Sequence, residues 1–84
     1  MNNRKKIRGL DAEGQMKKLG QRIRQLRKAA GYTSAETFAN DKGFPRALYG
    51  KYENGKNIEF VTLIKLVNSF GIGLKEFFDE GFND

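Results

Sequence analysis

Arg46, Ala47, Gly50 and Lys51 are the residues whose types and spacing best suit a chemical task, and that task is noncovalent. At 3.6 residues per turn they share one side of a short helix predicted over 45–54. The other side carries Leu48, Tyr49 and Tyr52, a stripe that packs inward. The outer side is small and basic, with nothing bulky and apolar on it. A helix anchored on one face and bare on the other fits a DNA major groove. There the Arg46 guanidinium suits a guanine O6/N7 edge, and Lys51 is a second base-contact candidate. Ala47 suits a thymine methyl, and Gly50 lets the backbone come close. Plainer readings stand beside these. Arg46 and Lys51 are also ordinary phosphate contacts or solvated surface charges, and a mid-helix glycine costs roughly 1 kcal/mol relative to alanine.

Other chemistries find little support. The chain has no cysteine and no histidine, so disulfides, thiolate or imidazole metal sites and His-based acid–base catalysis are not expected. Asp11 with Glu13, and Glu76 with Asp79 and Glu80, are the carboxylate groups that paired acid–base work would use. Solvated faces and helix-dipole preferences account for them without catalysis. Neither a nucleophile–base pair nor a phosphate-cradling glycine loop is evident. The reading is therefore no enzyme, no cofactor and no metal. Phe60, Phe70, Phe77, Phe78 and Phe82 have the chemistry of a single-strand stacking platform, but their helical spacing favours core and subunit contacts.

The 84 residues carry a net charge of +6, unevenly spread. Residues 1–28 hold ten bases against two acids, whereas 76–84 hold four acids and no base. A polyanion partner is the natural reading of the basic half. The length suits one small domain, marginal in stability unless a second copy helps. No apolar run approaches a membrane span of ~20 residues, and the basic N-terminus lacks the apolar stretch of a secretory signal. A cytoplasmic, nucleoid-associated protein is expected.

The elements that must position the outer face follow from apolar period and caps. Residues 1–15 read as a basic, flexible arm containing Arg4, Lys5, Lys6 and Arg8. Residues 16–80 form the folded domain and 81–84 a tail. Met16, Leu19, Ile23, Leu26 and Ala30 mark the inward face of a first helix, starting between 11 and 16 and closed by Gly31. Arg22, Arg24, Gln25 and Lys28 fall mostly outside. Thr33 or Ser34 caps a second helix with Phe38 and Ala39 inward. Gly43 and Phe44 make the turn into the third, which Asn54 and Gly55 stop. A fourth runs over 59–70 with Phe60, Leu63, Ile64, Val67 and Phe70 on one face. A fifth spans 74–79. Period-two alternation is absent, so the fold class is all-α, five short helices on one core.

These pieces in this order resemble the Cro/C1-type (XRE, phage-repressor-like) helix-turn-helix family. The match covers about 19–78 and is carried by Leu19-Gly20-Gln21-Arg22-Ile23-Arg24-Gln25-Leu26-Arg27, Phe38-Ala39, Gly43-Phe44, Tyr52-Glu53-Asn54-Gly55-Lys56, Leu63-Ile64-Lys65-Leu66 and Phe70-Gly71-Ile72. The resemblance implies a lambda-repressor-like domain whose second and third helices form the helix-turn-helix, with the third in the major groove of double-stranded DNA. It implies a sequence-specific transcriptional regulator acting as a homodimer on paired half-sites, for which repression by occlusion is the simplest mechanism. It also implies phosphate contacts from the Asn54-Gly55-Lys56-Asn57 turn, through backbone N–H groups and Lys56, and an ion pair between Arg27 and Glu53. Many relatives place a phosphate-binding Gln at the start of the second helix. Here the stretch reads Thr33-Ser34-Ala35-Glu36, so Thr33 or Ser34 stands in for it. The dimer surface is expected around Ile72, Leu74, Phe77 and Phe78. Two alternatives use the same fold: the DNA-binding antitoxin of a toxin–antitoxin pair, with the toxin on the last two helices, and an adaptor that binds RNA or protein.

Overall fold

The structure, a computed structural model, describes residues 9–82. Among them are five helices and no strand: α1 (Ala12–Ala29), α2 (Ala35–Lys42), α3 (Arg46–Glu53), α4 (Phe60–Ser69) and α5 (Leu74–Phe78). The arm residues Arg4, Lys5, Lys6 and Arg8 lie outside the described residues.

Local chemistry sets the helix ends. The Asp11 carboxylate accepts from the Gly14 N–H at 3.2 Å and caps α1, so α1 begins a turn before residue 16 and takes in part of the stretch read as arm. Glu13 in its first turn and Arg27 and Lys28 in its last complement the helix dipole. The Ser34 hydroxyl caps α2 by accepting from the Thr37 N–H at 3.2 Å. Between α2 and α3 the chain reverses at Gly43, whose φ of 83° suits a residue without a Cβ. The Phe44 N–H returns to the Ala39 carbonyl at 2.8 Å, and Pro45, with φ −60° and ψ 128°, leads into α3.

The core is continuous. Ile23, Phe38, Ala39, Tyr49, Leu66 and Phe77 are shut off from solvent, or nearly so. Phe38 is its centre, with ring centroids 5.2 Å from Tyr32, 5.1 Å from Tyr49 and 5.3 Å from Phe70.

Several residues lie elsewhere than the apolar period predicts. Leu48 is 43% exposed, because α3 turns Tyr49, Tyr52 and Glu53 to its neighbours and leaves Leu48 at the rim. Phe60 is 60% exposed. The buried stripe of α4 is Leu63, Leu66 and Val67, and Phe60 stands rotated off its middle. Ala30 is exposed in the turn after α1. Arg22, expected outside, is buried, and its guanidinium reaches the carbonyls of α5.

Candidate nucleic-acid interface

α3 is held from behind. Arg27 of α1 donates to Glu53 twice, from Nε to Oε2 at 2.8 Å and from Nη2 to Oε1 at 3.0 Å. Both side chains are almost wholly buried. Arg24, half-exposed, adds a longer contact to Oε1 at 3.4 Å. Arg27 also donates to the Tyr32 carbonyl at 2.9 Å, so one guanidinium joins α1, the entry to α2 and the end of α3. Burial alone would raise the Glu53 carboxyl pKa. The hydrogen bond from Arg27 and the nearby Tyr49 hydroxyl outweigh it and hold the group below its usual value. Burial, then the neighbouring Glu53 carboxylate, push the Tyr49 phenol well above its ordinary range, although its oxygen makes no hydrogen bond of normal geometry.

Gly20 lets the helices come this close. A Cβ there would stand 2.5 Å from the Glu53 carbonyl oxygen and 2.9 Å from the Gly55 nitrogen. The sequence reading missed this approach; a glycine inside an otherwise amphipathic helix is the signal that could have found it. Arg22 had a signal too: it lies three residues after Leu19 and four before Leu26, within the buried stripe.

With Tyr49, Tyr52 and Glu53 turned inward, the other side of α3 faces out. Arg46, Ala47 and Lys51 are exposed and Gly50 is half-buried. A Cβ at Gly50 would meet nothing within 4 Å, so that face is open. Arg46, Ala47 and Pro45 line one shallow cleft together with Glu36 of α2.

The remaining candidates lie in the segments before α2 and after α3. Thr33 is exposed, while Ser34 is half-buried with its hydroxyl engaged in capping α2, so Thr33 is the freer of the two. After α3, Asn54, Lys56 and Asn57 are exposed. The N–H groups of Asn54, Gly55 and Lys56 return to the carbonyls of Gly50, Tyr52 and Lys51 at 3.0–3.2 Å. Those three N–H groups are therefore taken, and a phosphate at this turn is left the side chains. Tyr32 donates its hydroxyl to Asp41, tying the start of α2 to its end, and this bond raises the phenol pKa. Of the residues expected on a dimer surface, Ile72 and Leu74 are half-buried against the core and Phe78 is 42% exposed. Phe77 is fully buried inside its own chain, so that surface does not include it.

Among the described residues no cluster of His, Cys, Asp or Glu is placed to hold a metal ion, and no helix is long and apolar enough to cross a membrane.

Comparison with known proteins agrees with this geometry. The helix-turn-helix family model matches residues 23–77, which spans α2, the turn and α3. Control protein C.MunI of Mycoplasma sp is 36% identical over 64 residues, covering 75% of this chain and 86% of that protein. No solved structure matches the chain. A helix-turn-helix braced by a buried Arg–Glu pair, over a matched family segment of this extent, leads to one conclusion: the chain belongs to the Cro/C1-type helix-turn-helix family of DNA-binding transcriptional regulators.

Proposed function

We propose that the protein controls transcription by binding a specific duplex sequence as a homodimer, with α3 in the major groove and repression by occlusion of the promoter. The open, basic face of α3 carries this reading: Arg46, Ala47, Gly50 and Lys51 point away from a core that fixes the helix through Tyr49, Tyr52 and Glu53. Arg46 and Lys51 suit base edges, with Ala47 and Gly50 as the close-approach surface. Thr33, Asn54, Lys56 and Asn57 suit the flanking phosphates through their side chains. A control role is also what the name of the relative C.MunI describes. The two copies meet through Phe78 with the exposed margins of Ile72 and Leu74, which sets two recognition helices about 34 Å apart, one duplex turn.

Selection of binding sites from a random duplex pool tests this. Enrichment of a palindrome with half-sites about one turn apart is the expected result. Equal retention of all duplexes, or preference for RNA, would overturn it.

A further inference from the structure

The two faces that a dimeric regulator needs, one for bases and one for its partner, are both mounted on α1. One side of α1 holds the end of α3, through Arg24, Arg27 and the close approach at Gly20. Another side meets α5 through the buried Arg22. Arg22 is only 5% exposed. Its Nε donates to the Phe77 carbonyl at 2.7 Å and its Nη2 to the Glu76 carbonyl at 2.9 Å. The guanidinium also lies 5.7 Å from the centre of the Phe77 ring. Gln25 accepts from Nη1 at 2.8 Å and fixes the plane of the group. The turn after α5 covers the stem, since a Cβ at Gly81 would be 3.8 Å from the Arg22 Cβ and Cδ.

Such a fork is more than packing. α5 is one short helix with a single buried side chain, Phe77. Its last carbonyls have few intrahelical donors, as at any helix end. Arg22 satisfies two carbonyls at once, and a planar guanidinium fixes direction as well as distance. The cluster it anchors is Phe77, Phe78 and Phe82, with Phe78 4.9 Å from Phe77 and 5.0 Å from Phe82. Phe78 is the exposed member.

We propose that Arg22 is a positioning residue: by locking the C-terminal aromatic surface to the helix that braces α3, it sets the separation and rotation of the two recognition helices in the dimer, and so the half-site spacing that the protein accepts. The inference rests on the dimer reading above. Adding or removing one base pair between half-sites turns them by about 34° and shifts them by about 3.4 Å, so a rigid link gives a sharp optimum and a loose one a broad optimum.

The test measures equilibrium binding of the full chain to palindromes whose spacer is shortened or lengthened by single base pairs. Melting temperature and the stoichiometry of each complex are measured alongside. Arg22→Lys keeps the charge but loses the fork. Gln25→Ala, at an exposed position, removes the one hydrogen bond that fixes the guanidinium plane and leaves the core intact. Ala39→Gly, buried in α2 and without a hydrogen bond to Arg22, is the control for loss of stability alone. Wild type and Ala39→Gly should lose at least about tenfold in affinity per base pair of misfit, and Arg22→Lys and Gln25→Ala no more than about threefold. Dimers of both Arg22→Lys and Gln25→Ala that keep the wild-type contrast would overturn the role of Arg22, as would equal flattening by Ala39→Gly. A wild-type complex with one chain per site would instead overturn the dimer reading.

Discussion

Glu53 carries the largest expected effect of any single side chain. It is 7% exposed and is held by Arg27 through two hydrogen bonds. A buried pair of this kind adds uncertain net stability, yet removing one member leaves the other charge buried, at about 3–5 kcal/mol. Glu53→Ala should thus lower the melting temperature by more than about 10 °C in a domain of this size, as circular dichroism would read. The pH dependence has a defined sign. The folded Glu53 carboxyl titrates below its usual value of 4.5. Its contribution is therefore complete above about pH 4.5 and is lost as pH falls through the lowered value. Urea titrations between about pH 3 and 7 should show that loss in the wild type, and a shallower acid slope in Glu53→Gln. Gly20 makes a second demand. An added methyl would meet the Glu53 carbonyl oxygen at 2.5 Å. Gly20→Ala should cost about 1–3 kcal/mol by overpacking, although alanine is the better helix former. An unchanged urea midpoint would show that α1 and α3 part without penalty.

α3 separates stability from recognition most clearly at Gly50. No atom lies within 4 Å of a Cβ built there, so Gly50→Ala should stabilise the free protein by up to about 1 kcal/mol. If the helix approaches the bases at that point, the same variant should bind the preferred site more weakly. A stabilised variant with unaltered affinity would show that the groove does not close on residue 50. The helices themselves were legible in the chain because caps and stops act over a few residues. Asp11, Ser34, Gly43 and Gly55 announce their turns locally. The apolar period also located α4, yet it left the rotational phase of the stripe open, which is why Phe60 was placed inside and Leu66 was not. Leu48 was misplaced for the same reason. The inward turn of α3 is chosen by what α1 and α2 present to it, and no local pattern reports that choice. Arg22 bonds to a residue 55 positions away, and whether a basic side chain in an apolar stripe finds carbonyls or solvent is decided by such a contact. Arg27 and Glu53 were paired by family resemblance, and spacing alone would not have joined them.

For the whole molecule, the charge asymmetry and the two mounted faces of α1 fit the dimeric, duplex-binding regulator that we propose. The basic residues before α1 extend this to salt dependence. Arg4, Lys5, Lys6 and Arg8 lie outside the described residues, and following the duplex backbone is the role we propose for them. Deleting residues 1–9 should reduce the slope of log affinity against log salt by ~0.9 per lost phosphate contact, a reduction of at most ~3.6 per subunit. It should leave base preference alone, and an unchanged slope would exclude the arm from the complex. The central claim is that α3 reads sequence through Arg46. Its most direct test is equilibrium binding of wild type and Arg46→Ala to a selected palindrome and to every single-base-pair variant of it. The predicted result is a loss of ~1–3 kcal/mol at the preferred site, with discrimination gone at one base pair of each half-site and kept at the rest. An equal loss of affinity for every sequence would contradict the claim and make Arg46 a phosphate contact only.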